Sequence, residues 1–393
     1  MNVGVSNTLY PEQKNILINS ENNYINLKKS NVFYYLNPLR RRLFKKNKCF
    51  VFLPIPLTTP GKVDVLHLFN EVAITRKKWV ATFETELPRV LPVPGVAKQD
   101  NPELYRLASQ VLKDNCLGLI AISDSALHMQ KKLFSKQPDL AARICAKTVV
   151  MHPPQKLIVQ QKAVKIDEIV RLVFVGNEFY RKGGAEVVLA ISQLIGKGEI
   201  DAQRLEVHLI GDLSKRHNIA HRQFQDEEPF YRHIEQSIAR HPCFRHQPAM
   251  TNEALLALFA RSDIGLLPTW QETYGFSVLE MQASGCPVIT SNVRALPEIN
   301  PPSVGWLLEN HLNDDRELSV SGLKKKEQIR QQLVDQLQST LLSIINDPAQ
   351  LQQKGEEAIQ RIREQHDPLT YSLRLNEIYQ HGIRAGFNPA LAP

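Results

Sequence analysis

The chain has 393 residues, 43% of them hydrophobic and 22% charged, a balance that excludes a disordered or fibrous protein and suits a globular one with two hydrophobic cores. No apolar run reaches the ~18 residues that cross a bilayer, and the N-terminus MNVGVSNTLYPEQKN lacks a basic segment followed by a long apolar one, so no membrane span and no signal peptide are expected. The formal charge of +8 points to a basic face or an anionic partner, and five scattered cysteines without a CxxC pair argue for reduced thiols in a cytoplasmic protein.

In chain order, the runs VFYYL (32–36), CFVFLPI (49–55), VDVLHLF (63–69), KWVATFE (78–84), CLGLIAIS (116–123) and KTVVMH (147–152) are predicted strands. They are apolar nearly throughout, as strands covered on both faces of a parallel sheet are. Between them, 102–115 is a predicted helix, with Leu104, Leu107, Val111 and Leu112 at helical spacing and Pro102 in the first turn; a second helix is expected from Asp124 to about Ser135. The densest charge is LRRRLFKKNK (39–48), which begins at Leu39 and ends at Lys48. It is either a solvated basic face or a surface for an anionic membrane, where each basic residue contributes about 1 kcal/mol. Nucleic acid is not expected, since no helix-turn-helix, zinc-finger or RNP pattern accompanies the charge.

A linker is expected over 154–168, opened by Pro153-Pro154 and continued by a polar segment. A second strand–helix series follows: RLVFVG (171–176), KGGAEVVLAISQLI (182–195), RLEVHLIG (204–211), EPFYRHIEQSIAR (228–240), CFRHQ (243–247), DIGLLPT (263–269) and PVITS (287–291). From about residue 323 the chain is helical and rich in Gln and Leu, a last helix starts at Asp367-Pro368, and the tail GFNPALAP is expected to fray. Alternating strands and helices imply parallel sheets with helices on both faces. The predicted organisation is an α/β chain of two doubly wound, Rossmann-like domains facing a cleft: 1–153, the 154–168 linker, 169–365, and 366–393 as a helix expected to pack back on the first domain.

Two windows carry the candidate chemistry. In QETYGFSVLEMQASGCPVITSNVRALPE (271–298), Glu272 and Glu280 flank Tyr274-Gly275-Phe276. A helix beginning near Phe276 places Leu279, Ala283 and Cys286 on its core face and leaves Ser277, Glu280 and Ser284 on another. The N–H groups of residues 275–278 are then the unpaired donors of a helix start, which attract phosphate. In VGNEFYRKGGAE (175–186), Gly176 ends a strand and Lys182-Gly183-Gly184 opens a helix, so a lysine reaches toward a diphosphate while the glycines admit close backbone approach. No DxD triplet and no GxxxxGK[ST], GxGxxG, HExxH or GxSxG pattern occurs.

Together these windows resemble the C-terminal domain of retaining, nucleotide-sugar-dependent glycosyltransferases of the GT-B fold, family 4 type ("glycosyl transferases group 1"). That pattern has a strand ending Gly-Arg, then Lys-Gly six and seven residues past the Gly, a strand ending in Gly, SD-I-x-L-x-P, two glutamates separated by seven residues, and A-x-G-x-P-V-I. This chain has Gly176, Lys182-Gly183, LIGD (209–212), SDIGLLPT (262–269), Glu272, Glu280 and ASGCPVIT (283–290), followed in register by Leu296-Pro297-Glu298-Ile299. The likeness covers about 147–310 strongly and the N-terminal half in outline.

The resemblance implies roles. Glu272 holds donor-sugar hydroxyls, Glu280 the ribose, and Lys182 neutralises the leaving diphosphate, while amides around Tyr274, Gly275, Phe276 and Ser277 meet phosphate or sugar. CFRHQPA (243–249), with Arg245 and His246, cradles the base. One position departs from the pattern: Asn177 stands where the family has its phosphate-binding arginine, and Arg181 is left to supply the charge. The first domain also lacks the histidine often found opposite the donor sugar; Glu84, Thr85 or Glu86 in VATFETELPR (80–89), or His67 in VLHLFNE (65–71), are the candidates there. The implied activity is metal-independent transfer of a hexose-type sugar from a UDP- or GDP-linked donor to a glycan or lipid-linked acceptor, in polysaccharide or lipopolysaccharide-type biosynthesis. It would take place in the cytoplasm, with peripheral contact at the inner membrane face through 39–48. A nucleotide-sugar epimerase or hydrolase on the same frame, or a non-catalytic sugar- or membrane-binding relative, is the alternative.

Overall fold

In the computed structural model, every strand pairing within the two six-stranded sheets is parallel, and each sheet belongs to its own unit of the chain. The structure describes residues 1–18, 21–44, 48–56, 61–162 and 169–383. Positions 45–47 of the basic run, 163–168 of the expected linker and the tail 386–393 therefore lie outside the described residues.

Unit 1 comprises Met1–Pro154 and His366–Pro393. Its elements are β1 (Asn2–Val5), α1 (Tyr10–Asn15), β2 (Asn23–Asn26), α2 (Val32–Phe44), β3 (Val51–Phe52), β4 (Val65–Phe69), β5 (Val72–Ala73), β6 (Trp79–Phe83), α3 (Pro102–Val111), β7 (Cys116–Ala121), α4 (Asp124–Leu133), α5 (Pro138–Cys145) and β8 (Thr148–Val150). The strand order is β2-β1-β4-β6-β7-β8, with β3 and β5 paired separately. All five residues of β4 and of β6 are buried, which their apolar runs anticipate. Helix starts follow local chemistry: Asn101 Oδ1 accepts from the Glu103 N–H at 3.0 Å ahead of Pro102, and Ser123 Oγ accepts from the Ala126 N–H at 3.0 Å.

The predicted strand VFYYL is instead the first part of α2. Its aromatic run is not a buried strand, because Tyr34, Tyr35 and Leu36 are exposed. Asn31, buried just before it, starts the helix: its Oδ1 accepts from the N–H groups of Phe33 and Leu53, both at 3.0 Å, and its Nδ2 donates to the Val51 carbonyl at 3.0 Å. The predicted strand 49–55 shortens to β3 for the same reason, since its next residues serve this cap.

Unit 2, Gln155–Gln365, contains β9 (Val170–Glu178), α6 (Gly184–Gly196), β10 (Leu205–Asp212), α7 (Glu228–Arg240), β11 (Phe244–Gln247), α8 (Asn252–Arg261), β12 (Ile264–Leu267), α9 (Phe276–Ala283), β13 (Val288–Ser291), α10 (Leu296–Ile299), β14 (Gly305–Leu308), α11 (Leu323–Asn346) and α12 (Ala349–Gln365). The order β11-β10-β9-β12-β13-β14 places the reversal of winding between β9 and β12. The last helix, α13 (Pro368–His381), is capped by Asp367, whose Oδ2 accepts from the Thr370 N–H at 2.7 Å. It belongs to unit 1, where Tyr371, Leu375 and Ile378 pack with Val3, Val65, Val80 and Ile120.

Candidate active site

In an open parallel sheet the loops at the carboxyl ends of the strands flanking the winding reversal diverge, and the crevice they leave is where ligands bind. In unit 2 those loops follow β9 and β12, and they carry Lys182 and Glu272. Two glycines let the loops meet. Gly183 has φ +87°, and a Cβ there would lie 2.1 Å from the Pro268 carbonyl oxygen. At Gly176 a Cβ would come within 2.4 Å of Lys182 Cβ. The contact is sealed by hydrogen bonds to the Arg181 carbonyl, from the Trp270 N–H at 3.0 Å and from Thr269 Oγ1 at 3.2 Å.

Held this way, Lys182 Nζ donates to Glu272 Oε2 in an ion pair whose side chains are 16% and 13% exposed. The Thr273 N–H donates to Glu272 Oε1 at 3.0 Å. Burial opposes the charge of Glu272. The adjacent Lys182 ammonium and its hydrogen bond, the Thr273 N–H and the Arg181 guanidinium outweigh it and hold the carboxyl below its ordinary value. The site therefore presents an ionised acid and an ammonium side by side, able to take hydroxyls and a diphosphate respectively.

Arg181 is tied down: one guanidinium nitrogen donates to the Gln271 carbonyl at 2.9 Å and another pairs with Glu178. Asn177 is exposed at the end of β9, and Lys215 Nζ donates to its Oδ1 at 2.8 Å. Lys215 was not among the residues expected from sequence. The signal was present as a lysine four residues after the strand-end glycine of LIGDLSK, but only the fold brings it to Asn177.

The second window behaves as its spacing predicts. Gly275, with φ +105°, is the left-handed N-cap of α9, which begins at Phe276. Tyr274 is buried, its ring 5.2 Å from that of Phe276. Ser277 is half-buried in the first turn, and Leu279, Ala283 and Cys286 are core. Glu280, one turn into the helix, is 6% exposed. On the edge strand β11, Arg245 is exposed, and His246 shares a hydrogen bond of 2.9 Å between its Nε2 and the Gly211 carbonyl at the end of β10. Beneath the site, Arg330 pairs with buried Glu186 at 3.2 Å and Asp226 at 2.7 Å and lies 5.9 Å from the Trp270 ring, bracing the loop that delivers Glu272.

In unit 1, one expectation is corrected. His67 is fully buried, with Nδ1 2.6 Å from the Tyr379 hydroxyl and Nε2 2.8 Å from Thr82 Oγ1, so it joins α13 to the sheet and reaches no surface. Burial lowers its pKa to about 3, which keeps the ring neutral. Sequence shows only that it lies in an apolar strand; that α13 covers that face is a tertiary fact. Glu84 and Thr85 are half-buried just past β6, and Glu84 Oε1 accepts from Asn70 Nδ2 at 3.1 Å. Glu86 is buried and pairs with Lys98 at 2.5 Å.

Comparison with known proteins adds likenesses of sequence and of fold. Residues 156–340 match the family model described as "Glycosyl transferases group 1". The glycogen synthase of Mycobacterium tuberculosis is 29% identical over 135 residues, which are 34% of this chain and 28% of that protein. The D-inositol 3-phosphate glycosyltransferase of Kribbella flavida is 23% identical over 278 residues, 65% of this chain and 62% of that one. The chain thus spans less than two thirds of the length of either relative. Among solved structures, Anabaena HepE in complex with UDP and glucose superposes with a TM-score of 0.56 at 13% identity, covering 96% of this chain and 91% of its own. That likeness shows a shared architecture, the GT-B arrangement of two parallel α/β sheets. Residues 156–340, just under half of the chain, are thus similar to the glycosyl transferases group 1 family.

Proposed function

We propose that the protein is a retaining glycosyltransferase that moves a hexose-type sugar from a UDP- or GDP-linked donor to a glycan or lipid-linked acceptor, in polysaccharide or lipopolysaccharide-type biosynthesis. The observation that carries this reading is the Lys182–Glu272 pair at the winding reversal of the unit 2 sheet, beside the glycine-capped start of α9. The family match over residues 156–340 supports it, as does a neighbour of the same fold whose structure contains UDP and glucose.

In this mechanism Glu272 orients the sugar hydroxyls and Glu280 the ribose. The N–H groups at the start of α9 and the ammonium of Lys182 receive the charge that builds on the leaving diphosphate, with Arg181 and Lys215 adding to the field. Cationic side chains thus take the role a metal has elsewhere. Departure and attack occur on one face of the sugar, so configuration is retained, and a diphosphate oxygen accepts the proton of the acceptor hydroxyl. Unit 1 holds the acceptor. The exposed Leu39 and Leu43 beside exposed Arg41 and Arg42 on α2 suit peripheral contact with an anionic membrane at its cytoplasmic face. No helix among the described residues is long and apolar enough to cross a membrane.

The test is calorimetry with UDP and GDP, followed by incubation with UDP- and GDP-sugars. Binding of one nucleotide, weakened at least tenfold by Lys182→Ala, is the expected result. Failure of both nucleotides to bind would sink the reading, and sugar release without an acceptor would replace it with hydrolysis.

A further inference from the structure

Unit 1 holds two cavities that share a wall, and donor binding accounts for neither. The first, of about 290 Å³, lies where β1 and β4 end, at the winding reversal of the unit 1 sheet, and is reached by Ser6, Asn7 and Asn70. Three acids line it: Glu84, which pairs with Arg89 at 3.4 Å, Glu12 from α1 and Glu71 from the turn after β4; the last two carry the argument. In Glu12 and Glu71 the Oε2 oxygen is buried with no hydrogen-bond partner, and Glu12 as a whole is only 6% exposed. A buried carboxylate oxygen without a donor is costly unless a ligand completes it. Burial holds both carboxyls above their ordinary value, and each lies close enough to Lys48 for its ammonium to oppose the shift.

The second cavity, of about 620 Å³, has an apolar floor that includes Val90, Leu91 and Leu107. Four cations line it, Arg40, Lys48, Arg89 and Arg106, against one carboxylate, Glu103, which Arg106 already grips at 2.6 and 2.8 Å. Arg40 Nε is buried there without a hydrogen-bond partner. The two cavities share Phe33, Lys48, Phe50 and Arg89, and the Lys48 and Arg89 charges lie 4.7 and 4.8 Å from the Phe50 ring centroid. Val93, at the rim of the second cavity, is 45% exposed, and α2, which supplies Arg40, also exposes Leu36 and Leu39.

We propose that the two cavities form one bipartite site for an anionic lipid: hydroxyls of its head group donate to Glu12 and Glu71 in the polar chamber, while its anionic group and apolar tail occupy the cationic, apolar one. This deepens the glycosyltransferase reading, on which the occupant's role as acceptor rests. The polar chamber alone suits any polyol, and the apolar chamber alone any detergent. Their shared wall of two cations is what requires head, anion and tail in one molecule.

The test is calorimetry on the full chain with three probes: dioctanoyl phosphatidylglycerol below its micelle concentration, octyl glucoside as a neutral amphiphile, and glycerol 3-phosphate as an anion without a tail. The phosphatidylglycerol is expected to bind at least tenfold more tightly than either control. Arg40→Glu, and separately Val93→Asp at an exposed position where folding is not at stake, are each expected to weaken it at least tenfold. Equal affinity for octyl glucoside, no binding, or binding untouched by both variants would overturn the proposal. UDP titrated in parallel separates the two ideas: lipid binding without UDP binding upholds this site and removes the donor reading, and the reverse removes this site alone.

Discussion

Lys182 and Glu272, 90 positions apart in the chain, are joined in one largely buried ion pair because Gly183 lets the loop after β9 rest on the Pro268 carbonyl of the loop after β12. Removing the cation alone strands a carboxylate. Lys182→Ala is therefore expected to cost about 1–3 kcal/mol of stability, while Glu272→Gln, which keeps an acceptor and removes the charge, costs less. Because Glu272 has a depressed pKa, the pair's contribution is fully present above the ordinary carboxyl range and is lost as pH falls through the folded-state value. In turnover of the nucleotide-sugar, Lys182→Ala should lower kcat/KM by about 10²–10³-fold, the size of one lost electrostatic contact to developing charge. Urea midpoints and steady-state rates check the two effects separately; wild-type turnover in Lys182→Ala would remove the residue from the site.

Lys215 sits against Asn177, the position where the family pattern has arginine. Its ammonium is exposed and donates there to a neutral amide oxygen, which a diphosphate can displace. Lys215→Ala is expected to weaken UDP binding about tenfold, and the loss should shrink as ionic strength rises, because exposed charges are screened. Asn177→Arg in the Lys215→Ala background should restore part of the affinity. Affinity equal to wild type in Lys215→Ala at low salt would count against it.

Much of this was legible in the sequence, for reasons that can be named. The core strands β4, β6, β7 and β9 declare themselves because strands buried on both faces need unbroken apolar runs. The start of α9 was readable because a left-handed residue before a helix calls for glycine, and Gly275 stands directly before the helical run that begins at Phe276. What could not be read depends on contacts remote in sequence. Asn31 turns VFYYL into a helix by bonding Val51 and Leu53. His67 looked available at a strand end until α13 brought Tyr379 over it. The polar chamber of unit 1 is built from short runs around residues 6, 12, 31 and 71, none of which forms a pattern by itself.

Gly183→Ala offers a test of the loop contact independent of any charge. The substitution places a methyl group against a backbone oxygen and forces a left-handed conformation on a residue with a side chain, a strain of about 1–3 kcal/mol before any displacement. Gly196 is the control: it ends α6, and nothing lies within 4 Å of where an alanine methyl would stand, so alanine there should be neutral or stabilise by up to about 1 kcal/mol. Calorimetric melting should show the first variant several degrees below the second. Activity should fall only in the first, since the shift moves Lys182. Identical melting of both variants would mean the loops adjust freely.

His67 makes unit 1 sensitive to acid. In the native fold burial lowers its pKa to about 3, whereas the unfolded chain titrates near the ordinary value of 6.5. Below 6.5 the unfolded state binds a proton that the native state refuses, so stability is complete above that pH and declines as pH falls toward 3. The slope is at most about 1.4 kcal/mol per pH unit. His67→Gln abolishes the proton uptake, though it weakens the bonds to Tyr379 and Thr82 and so lowers stability near neutrality. Urea unfolding of both proteins between about pH 6.5 and 4.5 should give curves that converge as pH falls, the wild type losing stability faster. Parallel curves would mean that another group, such as a buried carboxylate common to both proteins, governs the acid limb and that the imidazole is protonated within the fold.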